Sequence, residues 1–200
     1  MNFLFASSNK NKIKEVQALM PAHIKLFGLS DINFTQEIAE TAATIEGNAK
    51  LKAEFIWNYL NEHPSEIKID AVFADDSGLE VETLNWAPGV YSARYAGEPK
   101  NDEANNKKLL EELKQQTKRN AQFKTVIAFV NKNAYKEFEG IIKGTMAYEP
   151  RGNSGFGYDP LFIPQGYRST FAELDFETKN SISHRAIAVK KLVEYLNLPG

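Results

Sequence analysis

Four short stretches of the chain carry residue types that could do chemistry. The first, Ser7-Ser8-Asn9-Lys10-Asn11-Lys12, joins small hydroxyls, amides and two lysines. At a strand-to-helix turn such a run offers backbone N–H groups and cations to an anion such as phosphate. It lacks the glycines and the Gly-Lys-Ser/Thr ending of a P-loop. Taken alone it reads more plainly as a helix cap with solvated lysines, because Ser and Asn are ordinary capping residues. The second stretch is acidic: Glu40, then Asp75-Asp76 at the C-terminal end of an apolar strand. Carboxylates placed where a central strand leaves its sheet lie where α/β proteins bind ligands, and hard oxygen donors suit Mg²⁺. Adjacent strand residues face opposite sides, so one aspartate serves a given site, and Asp76 is the choice. Asp75-Asp76-Ser77-Gly78 reads equally as a polar turn.

The third stretch is Gly155-Phe156-Gly157-Tyr158-Asp159-Pro160. An aromatic between two glycines can keep a face open to stack on a planar base, with Asp159 as an acceptor beside it; a glycine-rich turn with its aromatics in the core is the other reading. The fourth, Lys179-Asn180-Ser181-Ile182-Ser183-His184-Arg185, gathers donors suited to keto oxygens or phosphates. A Ser183–His184 nucleophile and base is a poor fit, since neighbouring residues do not easily make that hydrogen bond and no acid completes it. His23 and His63 read as surface residues, and three scattered histidines make no metal-ligand pattern.

The elements that must position these groups follow from periodicity and punctuation. Asn2 to Ala6 reads as a buried strand running into a capped helix with Ile13, Val16, Leu19 and Met20 on one face. His23 to Phe27 is a second short strand, and Asp31 to Thr41 a polar loop. Thr44 to Leu60 is a helix stopped before Pro64. Ala71 to Ala74 and Leu79 to Thr83 read as strands on either side of the Asp-Asp-Ser-Gly run. Asp102 to Thr117 is a polar helix, Phe123 to Val130 and Tyr135 to Ile142 a hairpin of edge-like strands, and Ser183 to Leu196 the last helix. Alternating helices and strands with a hairpin in the middle imply an α/β domain with a mixed sheet.

Composition narrows the chemistry. The chain has 200 residues, 24 Lys plus Arg against 26 Asp plus Glu, a net charge of -2 and no cysteine. That length implies a single domain over residues 1–200. Without thiols there is no disulfide framework, thiolate metal site or Cys nucleophile. Near-neutral charge argues against a partner such as a nucleic acid polymer, whose binding needs clustered cations. No stretch approaches the ~20 apolar residues of a membrane span, and the N-terminus lacks a signal-peptide pattern, so a cytoplasmic protein with no membrane partner is expected. The charge is segregated: residues 1–14 carry +3, residues 179–191 carry +4 and residues 70–82 carry -5. If they converge, these segments suit a metal-bound polyphosphate.

Together the motifs resemble one family. Ser-x-Asn-x-x-Lys, Glu-Thr followed by Asn-Ala and Lys-Ala, Asp-Asp-Ser-Gly-Leu, Pro-Gly-Val-Tyr-Ser-Ala-Arg-Tyr-Ala-Gly, Gly-Phe-Gly-Tyr-Asp-Pro-Leu-Phe, Thr-Phe-Ala-Glu-Leu and Lys-Asn-x-x-Ser-His-Arg occur in that order from Phe3 to about Leu196. This is similar to the inosine triphosphate pyrophosphatase family. The resemblance implies a long curved mixed β-sheet flanked by helices, in two lobes with a central nucleotide cleft, and a homodimer. It implies Mg²⁺-dependent hydrolysis of ITP, dITP and XTP to the monophosphate and pyrophosphate, cleansing the nucleotide pool. Ser7, Ser8, Asn9, Lys12, Lys52 and Ser77 would then bind the substrate with its triphosphate, and Glu40 and Asp76 would hold the metal, Asp76 also acting as base for the attacking water. Phe156 would stack on the nucleobase within Gly157-Tyr158, and Asp159, Lys179, His184 and Arg185 would read its edge. The family often has Glu before the Asn-Ala of the second helix, where this chain has Gly47; Glu46, turned by ~100° on a helix, is no automatic substitute. Trp86 stands where a small residue is common. Two rival functions are a nucleotide-binding module without turnover and a Maf-like pyrophosphatase of other base specificity.

Overall fold

The computed structural model describes residues 1–197. Its strands are β1 (Asn2–Phe5), β2 (Lys25–Gly28), β3 (Ala71–Val81), β4 (Asn120–Val130), β5 (Tyr135–Met146) and β6 (Phe162–Pro164). Its helices are α1 (Lys10–Leu19), α2 (Ile45–Glu62), α3 (Asp102–Glu112), α4 (Phe176–Ile182) and α5 (His184–Leu196). The strands form one mixed six-stranded sheet in the order β2-β1-β3-β4-β5-β6. β1 is parallel to both neighbours, Phe3 lying opposite Leu26 and Ala71, while β5 and β6 are antiparallel.

Local chemistry explains where the helices begin. Asn9 Oδ1 accepts from the N–H groups of Asn11 and Lys12 at 3.0 and 3.2 Å, starting α1. Thr44 Oγ1 accepts from Gly47 N–H at 3.0 Å at the head of α2, and Asn101 Oδ1 from Ala104 N–H at 2.9 Å at the head of α3. Each satisfies donors that the first turn of a helix leaves over.

Four expectations are corrected. Asp75 to Gly78 is not a turn between two strands but the middle of β3, which runs unbroken for 11 residues. The carboxylates stay in a buried strand because cations meet them there, so they need no solvent. Of the hairpin arms, β4 is interior, lying between β3 and β5, whereas β6 pairs with β5 only at Gly144–Met146, past the arm expected to be edge-like; Pro164 of β6, which has no N–H to give, suits the outer edge. α3 stops at Glu112 rather than Thr117, where buried Arg119 donates to the carbonyls of Leu113, Met146 and Ala147. A separate helix, α4, precedes the last one, and Ser183 breaks the two with an extended backbone.

The chain divides into two compact units. Unit 1 holds residues 1–76, 125–140 and the chain from Arg185 onward. Its core packs Phe3, Phe5 and Phe73 with Val16 of α1 and Val189 and Leu192 of α5, and the rings of Phe5 and Phe73 stack at 4.9 Å. Unit 2 holds residues 77–124 and 141–184. There Leu79, Phe123, Met146, Leu161, Phe162 and Phe171 pack against Leu109 and Leu113 of α3 and its C-terminal end. Among the described residues no helix is long and apolar enough to cross a membrane.

Candidate active site

In unit 1 the acids and bases singled out above assemble around the middle of β3. Strand alternation sends Asp75 and Asp76 to different partners. Asp75 Oδ1 accepts from Lys12 Nζ at 3.1 Å and its Oδ2 from Arg185 Nε at 3.0 Å. Arg185 Nη1 is bound in turn to Glu15 of α1. Asp76 faces α2: Lys52 Nζ lies 3.6 Å from its Oδ1, and Asn48 Nδ2 lies 3.4 Å from its Oδ2. The same Lys52 ammonium donates to Glu40 Oε1 at 2.6 Å. One cation thus bridges the two carboxylates expected to hold metal.

Burial and charge set the protonation of these groups. For Asp75, burial works to raise the carboxyl pKa, but Lys12, Arg185 and Lys52 overcome it and hold the group far below the usual carboxylate range. For Asp76, burial raises the pKa, Lys52 and Lys12 pull it down, and Glu40 and Asp75 push it up again; the balance lies above the ordinary aspartate value. Burial also lowers Lys12, against the pull of Asp75. In Lys52 burial is outweighed by Asp76 and Glu40, and its pKa rises. Two neighbouring aspartates are therefore split, one firmly ionised inside a cation pair and one more willing to take a proton.

Asp76 and Glu40 are hard oxygen donors, and Asn48, also bonded to Ala42 N–H at 2.9 Å, fixes the α2 side of the pair. Among the described residues no group of three or more His, Asp or Glu could cage a metal. A carboxylate pair that leaves the other positions to waters and substrate phosphates suits Mg²⁺ better than an all-protein cage does. At position 47, where the resemblance leads one to expect Glu, any side chain would force its surroundings to shift. A Cβ on Gly47 would stand 2.7 Å from the Ala42 Cβ and 3.2 Å from Thr44 Oγ1.

The N-terminal turn keeps both of its readings. Asn9 is the α1 cap, so its side-chain oxygen already occupies two N–H groups that an anion would otherwise use. Ser7 Oγ accepts from Asn9 N–H at 3.3 Å. Ser8 and Asn9 are exposed, Lys12 and Ser7 half-buried.

In unit 2 the expected base-reading residues gather on the 155–160 loop and α4. Lys179 Nζ donates to Asp159 Oδ2 at 2.5 Å and lies 4.9 Å from the centre of the Phe156 ring. Asp159 Oδ2 also accepts from Phe156 N–H at 2.9 Å. Phe156 and Gly157 are partly exposed, and Ser77 of β3 is half-buried. The His184 ring lies flat against Phe123, with centroids 4.6 Å apart and planes at 11°. Tyr158 is buried in the unit 2 core and its hydroxyl donates to Ser92 O at 2.9 Å, which anchors the loop from within. Arg185 belongs to unit 1, where two of its three guanidinium nitrogens are committed to Asp75 and Glu15, not to unit 2 beside Lys179.

Glu15 and Asn48 escaped the sequence reading. The available signal for Glu15 was its spacing, three residues after Lys12 on the same side of α1. A cavity of about 560 Å³ in unit 2 is lined by Trp86, Gln122, Lys143, Gln165 and Tyr167 among others. None of the expected site residues lines it.

The Ham1 family pattern matches residues 3–195 of the chain. The chain is 50% identical over 197 residues to the dITP/XTP pyrophosphatase of Christiangramia forsetii, covering 98% of this chain and 100% of that protein. It is 52% identical over 195 residues to the dITP/XTP pyrophosphatase of Flavobacterium psychrophilum, covering 98% of each. The solved structure of the Staphylococcus aureus Ham1 protein matches with a TM-score of 0.86 at 41% identity, over 98% of both chains. That of a nucleoside-triphosphatase, dITP/XTP pyrophosphatase, from Mycobacterium abscessus matches at 0.74 and 37% identity, over 99% of this chain and 100% of the other.

Proposed function

The chain belongs to the Ham1 family, and from that premise we propose that it hydrolyses the non-standard purine nucleotides dITP, ITP and XTP to the monophosphate and pyrophosphate. Relatives named for dITP and XTP support the substrate class. The observation that carries the chemistry is the Lys52 bridge, 2.6 Å from Glu40 and 3.6 Å from Asp76. It is a compact patch of hard oxygens and cations, of the kind that phosphoryl chemistry needs.

In this reading Glu40 and Asp76 would hold Mg²⁺. The ion, when bound, supplies charge neutralisation and a Lewis acid for the anhydride. Lys12 and Lys52 neutralise phosphate oxygens, while Ser7, Ser8, Ser77 and the Asn9 amide nitrogen donate to them. Asp76, with its raised pKa, takes a proton from the water that attacks the α-phosphorus. The bond from that phosphorus to the bridging oxygen breaks, and pyrophosphate leaves. At the other end of the substrate Phe156 stacks on the base, with Gly157 beside it. Lys179 and His184 donate to the 6-keto oxygen of hypoxanthine or xanthine. Adenine presents an amino donor there and would leave those donors without acceptors. Arg185 serves in this scheme by holding Asp75, and Asp159 by orienting Lys179.

The test is a substrate panel of dITP, ITP, XTP, dGTP, dATP and dUTP with Mg²⁺ and pyrophosphate detection. Preference for the first three is expected. Binding of dITP without pyrophosphate release would leave only a binding module, and preference for dUTP would favour the Maf-like alternative. The homodimer and the cytoplasmic setting belong to the same proposal; light scattering that returns the mass of one chain would remove the dimer.

A further inference from the structure

The charged end of α3 is not absorbed by the chemistry above, yet it reaches the loop that carries Phe156. Asp102 and Asn106 are one helical turn apart and so project from the same face of α3. Asp102 Oδ2 accepts from Gly157 N–H at 2.7 Å. Asn106 Nδ2 donates to Gly157 O at 2.9 Å. Both backbone polar groups of one residue are therefore taken by one helix face.

The residue so held directly follows Phe156 in the loop. Gly157 has φ +61, in the left-handed region, and no atom lies within 4 Å of where its Cβ would be, so the backbone angle and not space calls for glycine. A glycine at such a position costs more backbone entropy to order than any other residue. Two hydrogen bonds from a helix remove that freedom before a ligand arrives. Phe156 is then held from both sides: its own N–H by Asp159 at 2.9 Å, and the peptide that follows it by Asp102. The neighbouring Asn105 does a similar task for another segment, accepting from Ala96 N–H at 2.7 Å and donating to Ala93 O at 3.1 Å. Side chains from the first two turns of α3 thus fasten two separate loops.

We propose that Asp102 and Asn106 are positioning residues for base recognition, which hold the Gly157 peptide and thereby set the Phe156 ring in its stacking pose. The inference rests on the reading that Phe156 stacks on the base. Preorganisation of this kind lowers the ordering cost of binding and leaves the chemistry at Asp76 untouched.

The experiment measures kcat and KM for dITP, with melting temperature, in Asn106→Ala, Asp102→Ala and Asp102→Asn, and repeats Asn106→Ala in a Phe156→Ala background. Asn106→Ala and Asp102→Ala should each raise KM about fivefold, the worth of one hydrogen bond, with kcat within about twofold. Asp102→Asn keeps an acceptor for Gly157 N–H, so KM should stay near the parent value even if the lost charge at the helix start lowers the melting temperature. In the Phe156→Ala background Asn106→Ala should add nothing to KM, because the group it positions is gone. Asn106→Leu fills similar space without the donor and replaces the alanine variant should that one fold poorly. An unchanged KM in Asn106→Ala, an equal rise in both backgrounds, or Asp102→Asn behaving as Asp102→Ala overturns the proposal while leaving the stacking reading in place. If Phe156→Ala alone leaves KM unchanged, the stacking reading fails and this proposal falls with it.

Discussion

Replacing Arg185 with methionine tests the buried charge network that the whole site hangs on. The substitution keeps much of the side-chain length and removes the guanidinium. Its side chain is 1% exposed, that of Asp75 1% and that of Glu15 5%, so both carboxylates lose their cation where water scarcely reaches. Removing one member of a buried ion pair costs about 3–5 kcal/mol. Lys12 stays 3.1 Å from Asp75, so that carboxylate keeps a partner and the lower end applies, about 3 kcal/mol. At roughly 2–4 °C per kcal/mol for a chain of this size, the melting temperature at neutral pH should fall by about 6–12 °C.

The pH dependence gives a sharper signature. Asp75 has a folded pKa well below its unfolded value of about 3.9. Such a group stabilises the fold at every pH above the unfolded value and gives that up as pH falls toward the folded one. Without Arg185 the folded pKa of Asp75 moves up and its contribution shrinks. The gap between parent and variant should therefore be widest near pH 7 and narrow as pH falls to about 4 and below. Thermal melts at matched protein concentration across that range are the assay. A loss under about 1 kcal/mol, or a gap that does not change with pH, would refute the ion-pair account.

Three further outcomes follow from the site. Asp76→Asn should lower kcat by about 10²–10⁴-fold with nucleotide binding still measurable by calorimetry, since the amide cannot accept the water's proton. Lys52→Met should move the acid limb of the kcat/KM profile to higher pH: Lys52 pulls the Asp76 pKa down, so without it the base form is lost sooner as pH falls. A limb that stays in place would separate Asp76 from that profile. Phe156→Ala should raise KM for dITP roughly tenfold, from the loss of one stacking contact, with a smaller effect on kcat; the steady-state kinetics of that single variant decide it.

Much of the scaffold was legible because its causes are local. The apolar run from Asn2, the Asn9 cap, the start of α2 near Thr44 and its stop before Pro64 each depend on neighbours within one or two turns, and the structure has them. The errors fall where a residue's environment comes from afar. Asp75 to Gly78 carries turn residues, and only cations from α1, α2 and α5 make an unbroken buried strand affordable there. β4 carries polar residues that suit an edge, yet it lies between β3 and β5. In the Gly155–Pro160 stretch both an open and a packed aromatic were legible, and the fold assigns them: Tyr158 is packed with its hydroxyl on Ser92 O, and Phe156 stays partly exposed.

The sequence by itself determined the class of chemistry: no thiols, hard carboxylates, segregated lysines, and seven motifs in an order that resembles one family. The tertiary structure alone decided which charge meets which. Lys12 and Asp75 are 63 residues apart, Asp75 and Arg185 110, and Glu15 and Arg185 170. Such pairs are set by how β3 lies in the sheet and how α1 and α5 pack in unit 1, and no local spacing encodes that. The second basic segment, residues 179–191, is therefore divided. Lys12 and Arg185 converge on Asp75, whereas Lys179 goes to Asp159 beside Phe156, because a helix break at Ser183 parts neighbours that the sequence kept together.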